Sequence, residues 1–167
     1  AEQGMNLMSS TLLTEDTGVP FDELQAEQIQ IFRDEWKEHG HDFEPRVGRA
    51  LAAAAQLDAE QKAGKLRGPL HGIPLAIKDI IETHDARTTG GSALFADYVP
   101  AQDATVVARL RAAGAVIIGK ANTQEFAMGG GETSYYGPSR NPWNLAHNTG
   151  GSSSGSGAAM AAHLAYG

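Results

Sequence analysis

The stretch GPLHGIPLAIKD, residues 68–79, joins a group of turn-forming residues to a short apolar run that ends at a lysine. Glycines and prolines interrupt its first half, and the apolar run at residues 73–77 predicts a buried β-strand. Lys78 stands at the end of that strand. Because burying an ammonium group is costly, Lys78 either extends to solvent, pairs with Asp79, or is desolvated and serves as a base. This segment alone leaves the three roles open.

Helical patterns flank this strand, and a second strand follows. Residues 45–64 predict a helix that opens on a first-turn proline and stops at a glycine. Residues 103–113 predict another helix, with Asp103 as its N-cap, and residues 115–119 predict a second buried strand. Helices that alternate with strands over short connections are typical of α/β proteins. The inward-facing residues of the second helix should be Val106, Val107 and Leu110.

Acidic residues are concentrated near the start of the 167-residue sequence. Residues 1–45 hold 11 acids and 2 bases (net −9), and residues 46–167 hold 9 acids and 11 bases (net +2). The total of −7 argues against a nucleic-acid partner. We predict an acidic N-terminal region over residues 1–45, with an irregular arm at 1–20 and an amphipathic helix at 21–39. A single domain should then occupy residues 46–167.

The composition excludes several classes of protein. There is no cysteine, which excludes disulfides, thiol catalysis and cysteine-bound zinc. No apolar stretch approaches the ~20 residues that span a bilayer, and residues 1–20 have no signal-peptide pattern. We therefore expect a cytoplasmic protein without a membrane partner.

Residues 121–167 are almost free of charge. Apart from histidines, their only ionisable acids and bases are Glu125, Glu132 and Arg140. Solvated surfaces carry more charge than this. We expect much of the segment to be buried in something larger, either a homodimer or the remainder of the same enzyme.

The segment TGGSSSGSG, residues 149–157, combines serine hydroxyls with a dense run of glycines. A flexible linker has this composition, but this run leads directly into an alanine-rich helix predicted at residues 158–165. A hydroxyl-rich turn at a helix N-terminus favours a proton relay or an anion site. Residues 151–155 also match the G-x-S-x-G elbow of α/β-hydrolases at Ser153. That elbow must follow a strand, whereas residues 141–148 predict a loop.

Three weaker patterns indicate no site. Residues 114–120 approach a P-loop, but Ala121 replaces the Ser or Thr that reaches Mg²⁺. A glycine pair at residues 155–157 lacks the third glycine and the preceding strand of a dinucleotide loop. His39 and His41 are close in sequence but share no metal-binding motif, so we predict no metal site.

Five ordered landmarks between residues 49 and 167 resemble the amidase signature family. They are residues 68–79, 103–120, 122–129, 141–143 and 150–153. The resemblance implies an α/β fold with a mixed β-sheet core covered by helices, of which this chain is the N-terminal part. It also implies hydrolysis of a small-molecule amide by a Ser–Ser–Lys triad, without a metal or an organic cofactor.

The same resemblance implies roles for individual residues. Lys78 matches the triad lysine, and Ser152 matches the bridging serine, which lies in a cis peptide in that family. The family's nucleophilic serine lies well beyond the bridging serine, which here means beyond residue 167. The candidate substrate-binding residues are Phe126, Met128, Gly129, Gly130 and Ser153. Core packing is an equal alternative for the two large side chains among them.

The sequence leaves four functions open. The first is an amide hydrolase whose nucleophile lies beyond residue 167, and the second is an amidotransferase subunit of the glutaminase type from the same family. The third is a non-catalytic fragment completed by a partner. The fourth is an α/β-hydrolase that uses Ser153 as its nucleophile.

Overall fold

The computed structural model describes residues 46–128 and 133–166, so the arm and helix predicted before residue 46 lie outside the described residues. The chain divides into two compact units, Ala1–Ala53 and Ala54–Gly167. The domain boundary predicted after residue 45 stays a prediction. No helix among the described residues is both long and apolar enough to cross a membrane.

Helix α1 spans Arg46–Lys62 and confirms the helix predicted at residues 45–64. It ends where Gly64 adopts a left-handed conformation, with φ +74°. Glycine enters this region without the steric penalty of a Cβ atom, which is why helices often stop at one. Leu57, on the C-terminal half of α1, is buried to 3% exposure.

A parallel pair of strands forms the framework of the second unit. Strand β1, Pro74–Lys78, pairs with strand β2, Val116–Ala121, in a register that places Lys78 beside Ala121. Both strands lie where the sequence predicts them, although β2 extends to Ala121. Parallel neighbours need a crossover connection, and helix α2, Thr105–Ala112, lies within it.

The two strands are less buried than predicted. In β1 only Ile77 is fully buried, and its other residues are half-buried. In β2, Val116, Gly119 and Ala121 are buried. Each strand has a single hydrogen-bonded neighbour in the part of the chain that the structure describes. No second strand covers either of them there, although the N–H of Tyr166 donates to the Pro74 carbonyl of β1 at 3.1 Å.

Helix α2 differs from its prediction in two respects. Its N-cap is Ala104, with no side-chain cap, because the Asp103 carboxylate accepts hydrogen bonds from a histidine and an arginine instead. Val107 is fully buried, as predicted, and Leu110 is half-buried. Val106 is 50% exposed, since adjacent positions of a helix point about 100° apart and only one of the two valines can face the core.

An antiparallel hairpin replaces the loop predicted over residues 141–148. Strand β3, Arg140–Asn141, pairs with strand β4, Asn144–Asn148. In the turn, the backbone N–H of Trp143 donates to the side-chain oxygen of Asn141 at 2.9 Å. All of β4 is exposed, so it lacks the alternation of apolar and polar positions on which strand prediction depends.

Helix α3, Ser154–Ala161, begins earlier than the helix predicted at residues 158–165 and follows directly on the serine-rich turn. Glycine and serine have lower helix propensity than alanine, so the sequence predicted the start of this helix at the first alanine, four residues late. A tertiary contact holds the first turn of α3 in place, because the N–H of Gly155 donates to the carbonyl of Asn122 at 2.9 Å. The described residues thus mix helices with one parallel and one antiparallel strand pair, which confirms the predicted α/β class.

Candidate active site

Lys78 and Ser152, the two residues that the resemblance implies are triad members, are in direct contact. The Nζ atom of Lys78 donates a hydrogen bond to the Oγ atom of Ser152 at 2.6 Å, across 74 residues of sequence. Both residues are half-buried. This distance allows direct proton transfer between the two side chains whenever the lysine is neutral.

The strand pair fixes the backbone of Lys78. Lys78 is the last residue of β1, and the N–H of the next residue, Asp79, donates to the carbonyl of Ala121 at 2.9 Å. On the preceding side, Ile77 is buried to 5% exposure and anchors the strand in the core. The strand therefore fixes where the Lys78 side chain starts, and its contact with Ser152 Oγ fixes where it ends.

The peptide around Ser152 is held by the segment that leaves β2. The bond between Gly151 and Ser152 is cis, the isomer that the resemblance implies. The carbonyl of Ser152 accepts two hydrogen bonds, from the N–H of Gln124 at 3.1 Å and from the Oγ1 of Thr123 at 3.0 Å. Thr123 is completely buried. A Cβ atom on Gly151 would overlap the amide end of the Gln124 side chain, which would have to move to admit any other residue.

Asn122 organises the loop beside this site, which sequence reasoning missed. Asparagine is a favoured helix N-cap and would suit a short helix that ends at Phe126. The turn of 3-10 helix that follows, Glu125–Ala127, instead has Gln124 at its N-cap. The side chain of Asn122 donates to the Gly137 carbonyl at 2.9 Å and accepts from Ser134 Oγ at 2.7 Å. An asparagine directly after a buried strand was the signal available in the sequence.

A buried ion pair lies next to Lys78 in the chain. Lys120 Nζ donates to Ile81 O at 2.7 Å and to Thr88 Oγ1 at 2.6 Å, and it lies 3.2 Å from Asp79 Oδ1. The other oxygen of Asp79 accepts from the N–H and the hydroxyl of Thr89. The side chains of Lys120 and Asp79 are only 5% and 10% exposed. The ion pair therefore connects the residue that follows β1 to strand β2, beside the strand end that carries Lys78.

Three other ionisable side chains, His84, Asp85 and Asp103, lie close enough together to hold a metal ion. Arg111, however, donates to both oxygens of Asp85 at 2.9 Å and to Asp103 at 3.0 Å. Burial raises the pKa of Asp103, but hydrogen bonds from His84 and the charge of Arg111 outweigh it, and the net pKa is lowered. An ion-pair network with Arg111 accounts for this cluster.

The predicted substrate-binding residues fall into three groups. Phe126 and Met128 are 40% and 74% exposed, so neither packs in the core that the described residues form, and both remain candidates for substrate contact. Gly129 and Gly130 lie outside the described residues. Ser153 is exposed and is the N-cap residue of α3. Only Ser153 adjoins the Lys78–Ser152 contact directly in sequence.

The arrangement around Ser153 differs from a hydrolase elbow. The strand that precedes it, β4, belongs to an exposed antiparallel hairpin. The backbone of Ser153 has φ −84° and ψ 46°, without the positive φ of a sharp strained turn. In the part of the chain that the structure describes, no histidine is hydrogen-bonded to its hydroxyl. These features disfavour Ser153 as a nucleophile.

Comparison with known proteins identifies relatives over most of the chain. The family model described as Amidase matches residues 41–167. The chain is 56% identical over 117 residues to a glutamyl-tRNA(Gln) amidotransferase subunit from Geobacter sulfurreducens, and the alignment covers 70% of this chain and 24% of that protein. It therefore spans about a quarter of the length of such relatives.

Solved structures agree with this comparison. Native peptide amidase from Stenotrophomonas maltophilia aligns with a TM-score of 0.64 and 47% identity over 70% of this chain and 25% of that one. The corresponding glutamyl-tRNA(Gln) amidotransferase subunit from Thermotoga maritima aligns with a TM-score of 0.56 and 49% identity, over 59% of this chain and 22% of that one. With a family match that begins at residue 41 and continues through the whole of the candidate site, the chain belongs to the Amidase family.

Proposed function

We propose that this chain supplies the lysine and the bridging serine of an enzyme that hydrolyses a carboxylic amide C–N bond. The observation that carries the proposal is the 2.6 Å contact between Lys78 Nζ and Ser152 Oγ. Membership of the Amidase family and the similarity to a peptide amidase support amide chemistry. The full-length polypeptide that carries this chain is called the complete enzyme below.

The proposed relay conserves every proton. A nucleophilic serine attacks the amide carbon while its hydroxyl proton passes to Ser152, whose own proton passes to the neutral amine of Lys78. When the tetrahedral intermediate collapses, the same relay runs in reverse and protonates the leaving nitrogen as the C–N bond breaks. Water then hydrolyses the acyl-enzyme through the same two residues. The 2.6 Å contact makes the second transfer a direct one.

We place the nucleophile beyond residue 167. Ser154 is buried in the first turn of α3, where its hydroxyl lies 3.2 Å from Ser139 Oγ. Ser156 belongs to the same short helix, and we propose that α3 holds both serines away from the position of the nucleophile. The relatives are about three times as long as this chain, since the 117 aligned residues make up 24% of the relative, and this leaves room for the serine and its oxyanion hole in the remainder.

An amidotransferase subunit is the second candidate. Curated relatives that are 50–56% identical to this chain are named as subunits of glutamyl-tRNA(Gln) amidotransferase. A protein of this kind would release ammonia from an amide donor and pass it to a partner subunit. Comparing glutamine with a peptide C-terminal amide as substrates, with and without partner subunits, separates the two candidates. Ammonia release from glutamine that requires a partner would favour the amidotransferase.

Covalent labelling of the complete enzyme tests the proposal. A fluorophosphonate reacts with activated serine nucleophiles, and peptide mapping then identifies the labelled residue. We expect the label on a serine beyond residue 167, and none on the isolated 167-residue chain. A label on Ser153 would instead establish the α/β-hydrolase alternative. Absence of any label on an enzyme that turns over amides would exclude a serine nucleophile.

A further inference from the structure

Ser152 is held from two sides by segments that leave neighbouring strands. Lys78, at the end of β1, contacts its Oγ atom at 2.6 Å. Thr123, two residues after β2, donates from its Oγ1 to the Ser152 carbonyl at 3.0 Å. The strand ends are themselves paired, with Lys78 beside Ala121. Both contacts to Ser152 therefore come from the same pair of hydrogen-bonded strands.

We propose that Thr123 is a positioning residue that sets the distance between Ser152 Oγ and Lys78 Nζ. The inference rests on the proposed function, since it concerns how the relay is held together. A serine side chain has one torsion between its backbone and its Oγ, so an error in the backbone passes almost undiminished to the hydroxyl. The two donors on the Ser152 carbonyl, Thr123 Oγ1 and the Gln124 N–H, are what fix that backbone.

The burial of Thr123 favours the hydrogen bond from its hydroxyl to the Ser152 carbonyl. The residue has 0% exposure, and a buried hydroxyl without a partner is costly. The acceptors in reach of Thr123 Oγ1 are the Ser152 carbonyl and, at 3.1 Å, the Gln124 carbonyl. Both belong to the segments that meet at Ser152. A valine would fill the same volume and leave the Ser152 carbonyl with one donor fewer.

The chain contains a matched control for this substitution. Thr83 is also 0% exposed, and its Oγ1 has no hydrogen-bond partner among the described residues. Thr83→Val therefore removes a buried hydroxyl of the same kind that is not connected to Ser152. A loss of kcat that followed from removing any buried threonine hydroxyl, rather than from releasing Ser152, should therefore appear in Thr83→Val as well.

The experiment measures kcat and KM for amide hydrolysis by the complete enzyme with Ser, Ala or Val at position 123. Displacing a reacting group by about 1 Å can reduce a rate by about 10²-fold. We expect Thr123→Val and Thr123→Ala to lower kcat about 10- to 100-fold with KM within about twofold of the wild type. Thr123→Ser should stay within a few-fold of the wild type, and Thr83→Val should leave kcat unchanged.

Comparison of Ser with Ala at position 123 keeps the test valid if the valine variant does not fold, because these two differ only by the hydroxyl. Equal kcat in Thr123→Ser and Thr123→Ala would overturn the inference. A fall in kcat/KM of Thr123→Ala that came only from a higher KM would also overturn it. The proposed function is tested separately by Lys78→Ala and Ser152→Ala in the same assay. Normal turnover in those two would overturn the proposed function and this inference together. Their inactivity beside a fully active Thr123→Val would overturn this inference alone.

Discussion

The Nζ atom of Lys78 lies 2.6 Å from the Oγ atom of Ser152, although 74 residues separate the two in the chain. The contact depends on the packing of the serine-rich turn and helix α3 against the end of β2. There the N–H of Gly155 donates to Asn122 O, and Thr123 holds the Ser152 carbonyl. Substitutions that disturb this packing should therefore affect both stability and the proposed chemistry.

Gly155→Ala should be strongly destabilising. A Cβ atom there would overlap the backbone nitrogen of Asn122 and come within 2.9 Å of the Ala121 carbonyl carbon, and neither backbone atom can move cheaply. We expect a loss of about 2–3 kcal/mol in the free energy of unfolding, at the upper end for overpacking. Urea unfolding of the two proteins measures it.

Gly157, two residues further along the same helix, is the control for Gly155. A Cβ atom there would meet the Thr149 side chain at 3.4 Å, an ordinary contact. Alanine is a better helix former than glycine by about 1 kcal/mol. Gly157→Ala should therefore be neutral or stabilising. Equal destabilisation by the two substitutions would show that the close approach of Gly155 to β2 does not matter.

Lys120→Met should leave the Asp79 carboxylate buried without its cation. Removing one partner of a buried ion pair typically costs about 3–5 kcal/mol. The double variant Lys120→Met with Asp79→Asn should recover much of the loss, because it leaves no uncompensated charge. The exposed pair Arg67–Glu60 is the control, and Arg67→Met should hardly change the unfolding midpoint. A double variant no better than Lys120→Met would contradict the electrostatic explanation.

The lowered pKa of Asp103 predicts a pH dependence of stability. Its burial, which raises the pKa, is outweighed by hydrogen bonds from His84 and by Arg111, so the folded value lies below the ordinary 3.8. Such a group stabilises the fold fully above its unfolded pKa, and this stabilisation is lost as the pH falls through the lower folded value.

Unfolding midpoints measured across this acid range check the prediction for Asp103. Asp103→Asn should be less stable than the wild type at neutral pH, and the difference should shrink as the pH drops below the ordinary pKa of 3.8. A difference that stays constant with pH would assign the effect of the substitution to packing rather than to charge.

Ala127→Gly should stabilise the chain. Ala127 has φ +56°, in the left-handed region that costs a residue with a Cβ atom about 1 kcal/mol relative to glycine. We expect a gain of that order in the free energy of unfolding. Ala55→Gly, at an exposed position inside α1, is the control and should lose about 0.5–1 kcal/mol. A loss of stability in both variants would mean that Ala127 makes contacts worth more than the backbone strain.

Local patterns predicted the framework of the site but not its connections. Strands β1 and β2 were identifiable because their apolar runs sit between turn signals. The hairpin of β3 and β4 was missed because all of β4 is exposed and carries no alternation. Its turn contains hydrogen bonds such as the one from the Trp143 N–H to Asn141 Oδ1, and such bonds have no apolar signature.

The candidate site was predicted in part for the same reason. Lys78 stands out as a charge at the end of an apolar strand, and Ser152 was singled out by the serine-rich turn and the family resemblance. Thr123 has no such signal, since its partner is a backbone carbonyl 29 residues away. Asp103 was misread as a helix cap because its actual partners, His84 and Arg111, are brought to it only by tertiary folding.

The rate of acylation of the complete enzyme by a fluorophosphonate tests the central proposal, that Lys78 and Ser152 form one proton relay, most directly. Lys78→Ala and Ser152→Ala should each slow labelling by at least about 10³-fold, and the double variant should be no slower than either, because residues that act as a unit are not additive. Ser156→Ala, in the same serine-rich run, should label at the wild-type rate. Near-normal labelling of Lys78→Ala, with the wild-type fold retained, would contradict the account.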